Sequence, residues 1–378
     1  MQDFIISNGI IFGPDCKFHR GDLEISDGLI FNGQRGLEAA ERINAEKFFI
    51  IPGLVDIHFH GCKGHDISEG TEEAFKAVEA YEASAGVTTI CPATLTLPHE
   101  KLLNIMREAK KFKARSKNFA GIYLEGPFIS SRKTGAQNPE FISRPDINFL
   151  RELYEESGGL IRIVTIAPEL EGAGEFIEAA KNFTRLSLAH SDCDYEQALQ
   201  AFEKGVGQAT HLFNAMNPIK HRAPGPIIAA LEDQNVKVEL ICDGVHIHPA
   251  VFRNAVKIFG PERVIFISDS LAACGMPDGE YELGGLKVIK RGRLASLADG
   301  VTIAGSVTTL TDGMITAVKN MGVPLEAAVR CSTINPAKAI GLENFCGSIQ
   351  PGRAADLVAL DKDLNVKFIF NKGELIKT

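Results

Sequence analysis

The sequence predicts an α/β protein: a (β/α)8 TIM-like barrel with a small β-sandwich domain built from both termini. Three observations predict it. Eight short runs rich in Ile, Val and Leu alternate with amphipathic stretches, a pattern that favours a closed parallel barrel over an open sheet. Both chain ends instead show alternating strands broken by tight turns. The length of 378 residues suits a barrel of roughly 200–400 residues with an accessory piece.

The elements follow in order. "DFIISNGIIF" and "GDLEISDGLIF" read as strands with Asn-Gly and Asp-Gly turns. The barrel strands are expected at Phe49–His58, Val87–Cys91, Phe119–Leu124, Ile161–Ile166, Arg185–Ala189, Gly207–His211, Val236–Ile241 and Arg263–Ser268. Between them "TEEAFKAVEAYEASAG", "PHEKLLNIMREAKKF" and "YEQALQAFEKG" have helical periodicity. A β-like insertion is expected near 281–302, between the eighth strand and its helix. "GSIQPGRAADLVALD" and "VKFIFNKGELIKT" end the chain as strands and turns. The expected division is residues 1–50 plus 343–378 for the β-domain and 51–342 for the barrel.

Composition narrows the function. A net charge of −8 with no basic run argues against nucleic acid or an anionic membrane as partner. No apolar run approaches the ~18 residues of a membrane span, and the start lacks a signal-peptide pattern. Eight scattered cysteines without a CxxC pair read as reduced, structural thiols of a cytoplasmic protein.

Chemistry in a parallel barrel sits at the carboxyl ends of the strands. The first strand ends in "GLVDIHFHG". Alternation with period two sends His58 and His60 to the same side. Alone, that pair could equally be satisfied by water and backbone. The third strand ends at Glu125, the fifth at His190, the sixth at His211 and the eighth at Asp269. Each has an ordinary structural reading: a loop cap for Glu125, core histidines for His190 and His211, a helix N-cap for Asp269. Six together on one rim point to a metal-centred site. Imidazole and carboxylate without thiolate suit zinc, ferrous iron or manganese. Six ligands exceed one tetrahedral ion and suit two ions sharing Glu125. Asp269 can then orient a metal-activated water and move its proton.

These motifs resemble the amidohydrolase superfamily. "LEGPF", "THLFNAMNPIKHRAPG", "DGVHIHP" and "AGS" are similar to one branch of it, the N-acetylglucosamine-6-phosphate deacetylases, along the whole chain. The fourth strand ends "TIAPE", without the lysine many superfamily members carboxylate there. The resemblance implies one or two divalent ions per subunit, zinc or iron, with Glu125, His190 and His211 holding the shared ion and His58 and His60 the other. It implies Asp269 as general base and acid. It implies Ala136, Gln137, Asn214, Ala215, Arg222 and His246 around the sugar phosphate, with backbone contacts from Ile303, Ala304 and Gly305. Arg222 suits a phosphate by its guanidinium fork. The resemblance also implies a homodimer whose interface completes the phosphate clamp. In "KTGAQNP", Gln137 stands where this branch has a histidine near the acetyl carbonyl. Gln137 can donate a neutral hydrogen bond but cannot be cationic. His65 and His248 are candidates to support the site from rim loops, and His221 to assist Arg222; His19 and His99 read as surface residues.

The expected reaction is deacetylation of N-acetylglucosamine 6-phosphate to glucosamine 6-phosphate and acetate. The alternatives are the N-acetylgalactosamine 6-phosphate epimer or another N-acyl amine, and a non-catalytic amidohydrolase-like scaffold. The last should lack the metal ligands.

Overall fold

The structure is a computed structural model describing residues 2–31 and 40–377. Residues 1 and 32–39 of the expected terminal segment, and residue 378, lie outside the described residues. Among the described residues, parallel strands occupy Leu54–Asp56, Val87–Ile90, Ile122–Leu124, Ile161–Ile166, Arg185–Leu188, Gln208–Ala209, Lys237–Ile241 and Val264–Ile267. The last six form one sheet in sequence order, and the first two pair separately. The chain is therefore a mixed α/β protein with a parallel sheet at its centre.

Helices separate the strands. Glu72–Ser84, His99–Lys113, Ile147–Glu156, Ala173–Ala180, Tyr195–Lys204, Gly225–Glu232, Pro249–Phe259 and Leu310–Lys319 each follow one strand in turn. Local chemistry starts several of them. Thr71 accepts from the Ala74 N–H, Asp146 from those of Asn148 and Phe149, and Asp194 forms a capping box with Gln197. Alternate strand residues enter different apolar clusters. Leu54, Ile122, Leu240 and Phe266 pack with the helices through Phe75 and Met106, whereas Val55, Tyr123, Ile241 and Ile265 pack with one another. Burial on both faces explains why these strands read as continuous apolar runs.

The expected strand Phe49–His58 is two strands. Phe49–Pro52 runs antiparallel to Leu357–Leu360, and Leu54–Asp56 runs parallel to Val87–Ile90. An unbroken apolar run hid the change of partner, which falls at Gly53. Its N–H donates to the Asp356 carbonyl at 2.8 Å, while the Leu54 N–H already donates to Gly86 at 3.0 Å. A Cβ at Gly53 would lie 2.1 Å from Thr88 Oγ1, so any side chain at the crossing would press on Thr88.

Strands from both chain ends form one hydrogen-bonded sheet. Its order is Glu374–Lys377, Val366–Asn371, Leu357–Leu360, Phe49–Pro52, Phe4–Phe12, Phe18–Ser26 and Leu29–Phe31. It forks at Phe4–Phe12, which also pairs Glu41–Asn44, and it encloses its own core of Phe4, Ile6, Ile25, Ile50, Leu357 and Phe370. A three-stranded antiparallel sheet, Gly279–Leu283, Leu286–Arg291 and Leu294–Leu297, precedes helix Leu310–Lys319. All eight cysteines are free thiols, and all but Cys16 are buried. Among the described residues, no helix is long and apolar enough to cross a membrane.

Gly53→Ala should overpack the crossing against Thr88. Such insertions typically cost about 1–3 kcal/mol. The denaturation midpoint should fall with an unchanged denaturant slope; an unchanged midpoint would show that Thr88 yields freely.

Candidate metal centre

The polar residues at the strand ends converge on one carboxylate. Glu125, just past Ile122–Leu124, lies with Oε1 3.0 Å from both His190 Nε2 and His211 Nε2 and 3.6 Å from His58 Nε2. Its other oxygen, Oε2, lies 3.3 Å from His60 Nε2. Asp269 Oδ1 lies 3.3 Å from His60 Nε2 and 3.8 Å from His58 Nε2. All six residues are buried. His58 and His60 sit beyond their strand rather than in it, yet both still aim Nε2 at Glu125.

Backbone conformation turns these side chains inward. His190, His211 and Asp269 have φ of 44°, 28° and 51°. Non-glycine residues rarely adopt left-handed conformations, which persist where surrounding contacts over-determine them. Asp269 shows such contacts: its N–H donates to the His58 carbonyl at 2.9 Å, and its own carbonyl accepts from Ser306 N–H at 2.7 Å. Asp269 caps no described helix.

The donor set fits a divalent metal. The distal nitrogens of three imidazoles are tied to acceptors: His58 Nδ1 lies 2.9 Å from Glu239 Oε2, His60 Nδ1 3.2 Å from the Ala93 carbonyl, and His190 Nδ1 2.8 Å from the Lys133 carbonyl. Each ring can thus carry its proton on Nδ1 and present a bare Nε2, the arrangement metal-binding histidines show. The buried Nε2 of His58 has no hydrogen-bond partner. His58, His60 and Glu125, and Glu125, His190 and His211, make two groups of ligand atoms within 4.8 Å of one another.

The electrostatics are those of a cation cradle. Burial disfavours ionisation of Glu125, but the surrounding imidazoles outweigh it and hold the carboxyl well below its usual range. Asp269 is likewise held low against burial, through His60 and then His58. Burial disfavours charge on His58 and His60, yet Glu239 and Glu125 raise the first and Asp269 and Glu125 the second. The carboxylates therefore favour positive charge where these side chains meet.

A cavity of about 290 Å³ opens over the cradle. Ala136, Gln137, Asn214, Ala215, His246, Ile303 and Gly305 line it with His60, Glu125, His190, His211 and Asp269. Ala304 is buried beside it, its N–H donating to Ala295. His246 donates from Nδ1 to Asp243 Oδ2 at 2.8 Å. Arg222 is not brought to this cavity: it is exposed and lines a separate one with Lys220 and Asn217. His248 does not support the site; its Nδ1 accepts the Ala250 N–H and caps helix Pro249–Phe259. His65 pairs with Glu69, His221 is exposed, and the half-exposed His19 and His99 pair with Asp15 and Glu152.

Gln137 is held differently from the expectation of a donor aimed only at substrate. Its Oε1 accepts the Thr96 N–H at 2.7 Å, and its Nε2 donates to Glu125 Oε2 at 2.8 Å. One N–H remains for the cavity. Thr96, Asp243, Gln208 and Glu239 escaped the sequence reading. Glu239 did leave a signal: in "KVELI" it shares the parity of Ile241, a cavity-lining residue, so a carboxylate faces the interior.

Histidines and carboxylates gathered at the ends of parallel strands make two groups that could hold a metal ion. The chain belongs to the amidohydrolase family, whose model matches residues 49–378. It is 34% identical over 333 residues to an N-acetylglucosamine-6-phosphate deacetylase of Bacillus subtilis, covering 86% of this chain and 84% of that one. It is 32% identical over 358 residues to an N-acetylgalactosamine-6-phosphate deacetylase of Escherichia coli O157:H7, covering 93% and 94%. A variant N-acetyl-D-glucosamine-6-phosphate deacetylase from Mycobacterium smegmatis, solved with N-acetyl-D-glucosamine-6-phosphate, superposes with a TM-score of 0.94 at 34% identity over 100% of both chains.

Gln137→Ala should strip the Thr96 N–H and Glu125 of partners in a buried setting. A buried group left unsatisfied costs about 1–3 kcal/mol, so thermal stability should fall. Gln137→Glu should be worse, since it sets a carboxylate against Glu125. Equal stability of both variants and wild type would mean that Gln137 is not held as described.

Proposed function

We propose that the chain hydrolyses the acetamide of N-acetylglucosamine 6-phosphate to glucosamine 6-phosphate and acetate. The observation that carries this reading is the convergence of four imidazole Nε2 atoms on buried Glu125, with Asp269 against two of them, beneath a cavity of about 290 Å³. The relatives' names supply the substrate class. The galacto epimer is the second reading, favoured by a relative of nearly equal identity. Comparing kcat/KM on the two sugar phosphates decides between them. A scaffold without catalysis has no reason to keep these six side chains in register.

Glu125, His190 and His211 would hold one divalent ion, and His58 and His60 with Glu125 a second, zinc or iron. When bound, the metal supplies an activated water and polarises the amide carbonyl. Asp269 accepts the water proton as the oxygen adds to the acetyl carbon. As the carbon–nitrogen bond breaks, Asp269 returns that proton to the leaving amine. The free N–H of Gln137 offers a donor to the carbonyl oxygen as it gains charge. Asn214, Ala215 and the backbone of 303–305 hold the sugar.

His246 faces the 6-phosphate. Arg222, exposed and outside the cavity, would reach a phosphate only from a second copy, which agrees with a homodimer. A closed (β/α)8 barrel is supported by backbone bonds beyond the paired strands. Ile90 N–H donates to Asn118, and Ala120 N–H donates to Ile90. His60 N–H donates to Ser270. The forked terminal sheet and its own core support a small β-sandwich domain from 1–50 and 343–378 beside a barrel of 51–342. Free cysteines agree with a cytoplasmic protein.

Three outcomes are expected. His190→Ala or His211→Ala should lose the shared ion and nearly all activity, while His58→Ala should lose about one equivalent of metal; full activity in purified protein stripped of metal would refute the metal reading. Asp269→Asn should lower kcat at least ~10²–10⁴-fold with substrate still bound, and wild-type turnover would remove it from proton transfer. The third concerns His246. Burial favours its neutral form, but the hydrogen bond and charge of Asp243 outweigh it and raise the pKa. The imidazolium therefore persists below that raised pKa and is lost as pH rises through it. KM for the phosphorylated sugar should climb over that range, and Asp243→Asn should move the climb to lower pH. A KM independent of pH in both proteins would separate His246 from the phosphate.

A further inference from the structure

The buried carboxylate of Glu239 lies on the seventh parallel strand, 181 residues from His58 in sequence. Three donors surround it. Gln208 Nε2 donates to Oε1 at 2.5 Å, the His211 N–H donates to Oε2 at 3.3 Å, and His58 Nδ1 lies 2.9 Å from the same Oε2. Oε1 accepts from Gln208 and Oε2 from the His211 N–H, both groups that can only donate, so the geometry assigns the hydrogen of the His58–Glu239 contact to Nδ1. That leaves the lone pair of His58 on Nε2, the buried atom without a partner that faces Glu125 and Asp269. Tyr123 packs on the imidazole face with ring centroids 4.5 Å apart, and its hydroxyl is tied to Thr210 Oγ1 at 2.7 Å. The ring is therefore held by its face and by its far edge.

We propose that Glu239, braced by Gln208, is a positioning residue that fixes the His58 tautomer and thereby sets whether the His58–His60 site takes its ion. The inference rests on the two-ion reading above. Glu239 meets the other site only through the His211 backbone N–H, whereas at His58 it holds the ligand ring itself. His190 is anchored by the Lys133 carbonyl and His60 by the Ala93 carbonyl, which no side-chain change removes. His58 alone among the three depends on a side chain.

Glu239→Gln tests it, because the shape is kept while one acceptor becomes a donor. The substituted amide would have a single carbonyl oxygen for the donors that now share two. If its NH₂ faces His58, Nδ1 must accept, the proton moves to Nε2, and the nitrogen meant for the ion is blocked. Zinc uptake is measured by chelator competition with elemental analysis. Wild type should bind two equivalents. Glu239→Gln should keep one tightly and bind the other about 10–100-fold more weakly, the usual effect of losing a partner that orients a ligand.

Two equal wild-type affinities in Glu239→Gln would overturn the inference, as would loss of both ions together. A wild type that binds fewer than two zinc ions would instead overturn the two-ion reading on which it rests. A measurement on wild type stands even if the variant fails to fold. In the zinc-loaded protein with ¹⁵N-labelled histidine, the His58 signal, identified by its absence in His58→Gln, should show a protonated Nδ1. A zinc-bound Nδ1 with the proton on Nε2 would overturn the proposal.

Discussion

The site depends on keeping one carboxylate ionised in the interior. Burying a charge is costly unless it is paired and hydrogen-bonded. Glu125 meets that cost through four imidazoles and the Gln137 amide, arranged around both of its oxygens. The same convergence that stabilises Glu125 makes the place where a divalent cation fits. Stability and metal affinity therefore draw on one set of contacts, and a change at any strand end affects both.

The parallel sheet makes that convergence possible. Five of the strands deliver histidine or carboxylate side chains to the same rim, and helices cover the outer face so that the strands are largely apolar. The last step is not delivered by regular structure. Left-handed residues just beyond the strands, His190, His211 and Asp269, bend the chain so that side chains meet over the strand ends. Backbone bonds between the first and eighth strand ends, from Asp269 to His58 and from His60 to Ser270, hold two of the ligand-bearing segments together.

Around the cradle, side chains divide the work. Glu239, held by Gln208, meets His58, and Thr96 orients Gln137 toward Glu125. Asp243 keeps His246 turned toward the cavity and its charge available. Gln137, where the chain leaves the pattern of the deacetylases it resembles, thus has two roles: it fixes a ligand and it offers a donor to the cavity.

Much of this was legible in the sequence, because it depends on local spacing. Alternation of apolar runs with helical periodicity indicated the parallel sheet. Histidines and carboxylates at strand ends indicated the cradle, since residue parity and strand polarity are local properties. The tertiary structure decided what spans the sheet. It decided that Phe49–Pro52 leaves the first strand for the terminal sheet, because the change of partner at Gly53 turns on the approach of Thr88. It decided that His248 caps a helix and that Arg222 stands outside the cavity of its own chain. It also decided that Glu239 answers His58 across 181 residues. A sequence fixes which face of a strand a side chain occupies, but the partner on that face is chosen by the register and curvature of the assembled sheet.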